Sequence, residues 1–228
     1  DFGICEKCAE ELFDPSNRRF QYPFITCTQC GPRLSVVHDI PYDRVWTSMS
    51  AFTMCTECQQ EYDNPNDRRY FSQTNSCGKC GIQLKISSNP DIIESDIINY
   101  TVQELQDGKI VAVKGIGGYL LLCDASNSQA IQTLRARKKR PKKPFALLYT
   151  NVESIMQDVI LGENALNEIS HTAFPIILAY KKTEQHSNVQ YDDVAPKLSQ
   201  LGVMLPNSPI LSLISVAFGG PLVATSGN

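Results

Sequence analysis

Eight of the nine cysteines fall in four CxxC pairs, Cys5/Cys8, Cys27/Cys30, Cys55/Cys58 and Cys77/Cys80, with 18, 24 and 18 residues between them. A chain that gathers its thiols this way must fold around whatever joins them. Adding 50 to each of the first four numbers gives the last four, and the match extends beyond cysteine. Asp14-Pro15-Ser16-Asn17-Arg18-Arg19-Phe20 returns as Asn64-Pro65-Asn66-Asp67-Arg68-Arg69-Tyr70, and a Gly follows both Cys30 and Cys80. Residues 5–30 and 55–80 are a duplicated unit.

Two thiolates two residues apart can point at one ion from a tight turn, and two such turns complete a tetrahedral four-cysteine zinc site. The following Gly suits the strained backbone that ends such a turn. A disulfide framework is one alternative. With no signal peptide read at its start and an α/β pattern after the repeats, the chain is expected in the cytoplasm, where disulfides rarely persist. Redox chemistry fits four pairs in a two-fold repeat poorly. Two zinc ions are therefore expected, structural rather than catalytic because four thiolates leave no open position.

Which pairs share an ion stays open. Each repeat closing on itself is the simpler arrangement; outer pairs (Cys5, Cys8, Cys77, Cys80) on one zinc and inner pairs on the other is the alternative. Some 80 residues supply little apolar core, so the metals would provide much of the folding free energy. The repeated arginines are expected to brace the loops on Asp14, Asp67 and nearby carboxylates, contact with a phosphate or a partner protein being the alternative. Trp46, Phe52 and Met54 in the connector are expected to pack between the repeats.

Ser87-Ser88-Asn89-Pro90 marks a boundary, giving domains 1–88 and 89–228. Beyond it helices alternate with strands. Strands are read at Ile110–Val113, Tyr119–Cys123, Phe145–Tyr149, Pro175–Ala179, Leu201–Leu205 and Leu222–Ala224. Helices are read near 100–107, 127–138, 151–158, 163–170 and 208–217, which makes an α/β domain with a mixed sheet. No apolar run approaches the roughly 18 residues a spanning helix needs, so no membrane is expected.

The chain's formal charge is −3, which argues against wholesale coating of nucleic acid. Residues 91–228 hold 12 Lys+Arg and 13 Asp+Glu, yet seven of those bases lie between Arg135 and Lys143, and no acid stands between residues 125 and 152. So dense a run repels itself unless an anion neutralises it. A phosphate site and a solvated face or RNA patch account for it equally well. Lys114-Gly115-Ile116-Gly117-Gly118 after one strand, and Thr225-Ser226-Gly227-Asn228 after another, tilt the balance toward phosphate, since small polar loops at strand ends are where α/β folds take ligands. The three histidines, His38, His171 and His186, are isolated and read as structural or surface, and Cys123 as core.

The cysteine pattern, Lys114 to Tyr119, Arg137-Lys138-Lys139-Arg140-Pro141-Lys142-Lys143-Pro144-Phe145-Ala146, Leu201 to Pro206 and Thr225 to Asn228 together resemble the HypF family, carbamoyltransferase maturation factors of [NiFe] hydrogenases. The resemblance covers essentially the whole chain and implies a YrdC-like twisted mixed sheet with helices, preceded by a small duplicated two-zinc domain. It implies a cavity where Lys138 and Arg140 of the family's KxR motif hold triphosphate and carbamate. Ser226 and Asn228 of its SxN motif would bind phosphate or the small acid. Lys114, Gly117, Gly118, Lys143 and Thr225 would line the site. Carbamate, derived from carbamoyl phosphate, would be adenylated by ATP with Mg2+, and the carbamoyl group would pass to the C-terminal cysteine of a HypE-type partner.

The family pattern extends past both ends, so the chain reads as part of a longer protein. Ser72 and Leu211-Ser212 stand where the family often carries His. The same module makes threonylcarbamoyl adenylate for tRNA modification, and weak double-stranded RNA binding is a non-enzymatic alternative. Eight zinc-bound thiolates add −8 and two zinc ions +4, taking −3 to −7. The basic run then stands alone in an acidic protein.

Overall fold

The computed structural model describes residues 1–184 and 187–227. His186 and Asn228 lie outside them. The chain divides into two compact units, one of Asp1–Ile97 with Asn207–Leu213, the other of Ile98–Pro206 with Ile214–Asn228.

In the first unit the leading CxxC of each repeat is a helix start, where tight turns were expected. Cys5 and Cys55 are the extended N-cap residues of α1 (Glu6–Phe13) and α2 (Thr56–Asp63), so Cys8 and Cys58 fall in the first turn. There the helix N-terminus, with its unpaired N–H groups, favours a thiolate. Helix α1 buries Cys8 and Leu12, four residues apart on one face. The repeat extends to the backbone: Gln21 and Phe71, 50 residues apart, both take a left-handed conformation, φ 55° and 54°. Gly31 turns at φ +88°, whereas Gly81 in the matching place serves close approach, since a Cβ there would lie 2.1 Å from the Tyr22 hydroxyl. In the connector Thr47 and Met49 are buried, while Trp46 is 45 % exposed and Phe52 and Met54 are only half-buried.

The second unit is a seven-stranded sheet in the order β1-β2-β7-β3-β6-β5-β4. Its strands are β1 (Val111–Gly115), β2 (Gly118–Asp124), β3 (Ala146–Leu148), β4 (Val159–Ile160), β5 (Ile177–Lys181), β6 (Gln200–Met204) and β7 (Leu222–Ser226). Among the described residues only β3 and β6 run parallel, and the other strand pairs are antiparallel. Helices α3 (Ile97–Gln106), α4 (Ser128–Arg137), α5 (Val152–Asp158), α6 (Glu163–Ile169), α7 (Tyr191–Val194) and α8 (Pro209–Phe218) connect them. One core joins the α4 residues Ile131 and Leu134 to Cys123, Leu147, Val203 and Val223 from four neighbouring strands.

The expected strands and helices all form, most within two residues of their expected ends, and the two-residue β4 and one-turn α7 are additions too short to leave a periodic signal. The loop read between the first two strands is the tip of the antiparallel β1–β2 hairpin, with Gly117 at φ +79° in the turn.

Candidate functional site

Each repeat closes on itself. Cys5, Cys8, Cys27 and Cys30 form one cluster and Cys55, Cys58, Cys77 and Cys80 the other, every Sγ within 4.8 Å of its three companions. In the first, Sγ–Sγ edges are 3.7 Å (Cys5–Cys27), 3.8 Å (Cys27–Cys30) and 3.5 Å (Cys30–Cys8). Those of the second are 3.8, 3.8 and 3.6 Å. A tetrahedron of zinc–sulfur bonds of about 2.3 Å has edges of about 3.8 Å, so both donor sets fit zinc. The crossed outer-and-inner alternative is excluded.

The arginine pairs do brace the loops, but not on Asp14 and Asp67. Those side chains cap local turns by accepting the Ser16 and Arg69 amides. Arg18 and Arg19 reach Glu61 of the second repeat, and Arg68 and Arg69 reach Glu11 of the first. Burial raises the Glu61 carboxyl, but its two arginines outweigh that and hold it down at about 2. Sequence repetition says which residues recur, not which copy a side chain reaches.

The second candidate site is at one end of the sheet. Lys114 pairs with Tyr119, Leu120 with Ser226, and Leu121 with Thr225. The hairpin tip carrying Gly117 and Gly118 thus lies beside the end of β7. Alternation of side chains puts Lys114 and Thr225 on one face of the sheet and the Ser226 hydroxyl on the other. The Lys114 ammonium lies 4.9 Å from the centre of the Tyr119 ring. Gly227 donates to the Tyr119 carbonyl at 2.7 Å, and a Cβ at Gly227 would come 2.7 Å from that of Tyr119. Only glycine lets the last turn close against β2.

The basic run meets β7 at this same end. Lys138 caps α4, Lys139 turns at φ 50°, and the chain doubles back so that the Arg140 amide donates to the Arg135 carbonyl. Lys138 Nζ donates to the Ser226 carbonyl at 2.6 Å, and Arg140 Nη1 to Thr225 Oγ1 at 3.1 Å. Arg140 also bonds the Pro144 and Lys143 carbonyls. Burial draws its guanidinium below the ordinary arginine range. The Lys143 ammonium is exposed.

Two members of the run's setting were invisible to a charge count. Arg135 is buried and donates to the carbonyls of Asp193, Arg140, Lys143 and Val194. Phe145, 1 % exposed, carries the Arg135 and Arg140 guanidiniums over its ring at 4.5 and 5.0 Å. The only sequence signal for either was an aromatic after the run and an arginine at the buried spacing of α4. His38 and His171 are exposed, with hydrogen bonds to Ser48 and the Ala173 amide, and Cys123 is fully buried, its thiol pushed up to about 12 by burial. Ser72 is buried with no hydrogen-bond partner for its hydroxyl among the described residues.

A family model described as "HypF finger" matches residues 4–37 and 54–87, and the Sua5/YciO/YrdC model, described as "Telomere recombination", matches 103–228. Carbamoyltransferase HypF of Synechocystis sp. is 46 % identical over all of this chain and 30 % of the relative's length. The crystal structure of full-length HypF in a phosphate- and nucleotide-bound form superposes with a TM-score of 0.88 at 42 % identity, and that of T. kodakarensis HypF with 0.94 at 37 %. All of this chain and 30 % of each of those chains is covered. The chain thus spans about a third of the length of the relatives it matches.

Proposed function

The chain belongs to the HypF family, and we propose that its second unit binds ATP and carbamate and joins them as carbamoyl adenylate, releasing pyrophosphate. The observation that carries this reading is the tethering of Lys138 and Arg140 onto Ser226 and Thr225. Two cations are thereby fixed at a strand end before any substrate arrives. In the proposed step a carbamate oxygen forms a bond to the α-phosphorus as the bond to the bridging oxygen of pyrophosphate breaks. Negative charge builds on the equatorial and departing oxygens, where preorganised cations act most strongly. Carbamate is already an anion, so no general base is required.

Lys138 and Arg140 would hold the triphosphate and carbamate. Thr225 and Ser226 would orient phosphate or the small acid together with Asn228, with Lys114, Gly117, Gly118 and Lys143 completing the wall. Among the described residues the cysteine sets are the two groups able to hold a metal ion; Mg2+ would therefore arrive on the phosphates of ATP. In the whole protein the carbamate would come from carbamoyl phosphate, and the carbamoyl group would pass to a cysteine of a HypE-type partner. The burial of Arg135 and the tethering of Arg140 and Lys138 subtract from the basic surface a double-stranded RNA would need.

The experiment is pyrophosphate release from ATP with either carbamate or L-threonine plus bicarbonate, which together give N-carboxy-threonine as the acid. Release driven by carbamate supports the proposal. Release that requires both L-threonine and bicarbonate, and is not driven by carbamate, replaces it with threonylcarbamoyl adenylate formation. Helix α8 and the last strand contain no His at Leu211 or Ser212, and the proposed step assigns none there.

A further inference from the structure

The arginine pairs do more than cross between repeats to a carboxylate. Arg18 Nη2 donates to Cys58 Sγ at 3.3 Å, and Arg68 Nη2 donates to Cys8 Sγ at 3.2 Å. Each is a bond to a thiolate of the other repeat's cluster. Their buried neighbours grip the opposite half of the same cluster. Arg19 Nε donates to the carbonyl of Ser76, the residue before Cys77, at 2.9 Å; Arg69 Nε donates to that of Thr26, the residue before Cys27, at 3.0 Å. Arg19, 1 % exposed, thus ties together the two ligand-bearing segments of the second repeat, and Arg69 does the same for the first.

These braces form a closed circuit. The loop that carries Arg18 and Arg19 is anchored to α1 by the Gln21 amide on the Leu12 carbonyl, and the loop of Arg68 and Arg69 to α2 by the Phe71 amide on the Tyr62 carbonyl. Helix α1 carries Cys8 and Glu11, and α2 carries Cys58 and Glu61. A metal ion that fixes α1 thereby fixes the arginines that complete the second cluster, and the reverse holds for α2. A four-thiolate zinc site carries a net charge of about −2, and a pair of guanidiniums, shared with one glutamate, offsets part of it. Such outer partners orient the ligands and tune the metal.

We propose that the two zinc sites depend on each other, each holding its metal through the arginine pair of the opposite repeat, so that Arg18 and Arg19 are positioning residues for Cys55/Cys58/Cys77/Cys80 and Arg68 and Arg69 for Cys5/Cys8/Cys27/Cys30. This goes beyond the adenylation reading and does not rest on it; it rests on zinc occupancy of both sites.

The test uses the full zinc-loaded chain, its metal content measured first, with Arg18→Gln and Arg68→Gln as mirror-image variants. Both side chains are partly exposed, 31 % and 25 %, and their neighbours Arg19 and Arg69 keep the glutamates paired. Zinc release to a chelator is followed by pulse alkylation, and the modified cysteines are mapped by mass spectrometry. Arg18→Gln should release zinc from the second repeat about 10- to 100-fold faster, labelling Cys55, Cys58, Cys77 and Cys80 first. Arg68→Gln should label Cys5, Cys8, Cys27 and Cys30 first. Labelling of the mutated repeat's own cysteines ahead of the opposite repeat's overturns the proposal. Loss from the mutated repeat that accompanies or follows release from the opposite one is what mutual dependence predicts, whereas release at the wild-type rate, or a wild-type chain that holds no zinc, overturns the proposal.

Discussion

Arg135 directs its guanidinium onto four backbone carbonyls and lies over the Phe145 ring. That arrangement shapes the turn from which Lys138 and Arg140 project. Arg135→Met would take this donor from the Asp193 and Arg140 carbonyls, while the Lys143 carbonyl keeps Arg140 and the Val194 carbonyl keeps the Phe145 amide; the loss should be about 2–4 kcal/mol, to be measured as a drop in thermal stability of the second unit. Arg140→Ala also removes structure, since Arg140 bonds Pro144, Lys143 and Thr225. It should lower the melting temperature as well as activity, which makes it the less clean probe of chemistry. In sequence all seven bases of the run look alike. Burial is what sorts Arg135 into scaffold and leaves Lys143 facing solvent, and burial is decided by elements far away in the chain.

At the scale of elements, a carboxylate clasps three segments of the second unit. Asp158, at the end of α5, is fully buried and accepts from the Tyr149 hydroxyl after β3 and the Tyr191 hydroxyl in α7, each at 2.7 Å, and from Ser187. Burial and the neighbouring Asp158 push both phenols above their ordinary range. The sign follows: an unfolded tyrosine ionises near about 10 and the folded ones do not. The stabilisation is whole below that pH and is lost as pH rises past it. Phenolate absorbance should therefore show Tyr149 and Tyr191 titrating only with alkaline unfolding. Tyr191→Phe should cost about 1–3 kcal/mol at neutral pH by leaving Asp158 a donor short. Continuous apolar runs made β2, β6 and β7 legible, because β6 and β7 bury both faces and β2 is buried or half-buried along most of its length. Helices α1 and α2 escaped notice: their eight residues are dominated by acidic and polar side chains around a buried cysteine, and metal ligation replaces the apolar stripe that marks a helix.

At the scale of the molecule, the chain combines a unit folded on thiolates with one folded on an apolar core. Metal analysis should find about two zinc ions per chain, one per four-cysteine cluster. Alkylation of the zinc-loaded native protein should label none of the nine cysteines. Chelation should unfold the first unit and open eight of them, leaving Cys123 protected by the sheet until the second unit unfolds. Labelling of Cys123 together with the eight would mean that the second unit needs the metal too. The cysteine spacing announced this division because four thiolates on one ion tolerate few geometries. The ligand end of the sheet was half legible: glycines and hydroxyls at strand ends stand out, whereas the hairpin at Gly117 and the Lys138–Ser226 tether depend on strand pairing across 88 residues.

In the proposed function, cations tethered to the end of β7 drive adenylation of carbamate. Exchange of labelled pyrophosphate into ATP, in wild type and in Lys138→Ala, tests it most directly. Carbamate-dependent exchange that falls about 100- to 1000-fold in Lys138→Ala, with the melting temperature held, is the predicted result. Exchange at the wild-type rate in Lys138→Ala, or exchange indifferent to carbamate, would contradict it.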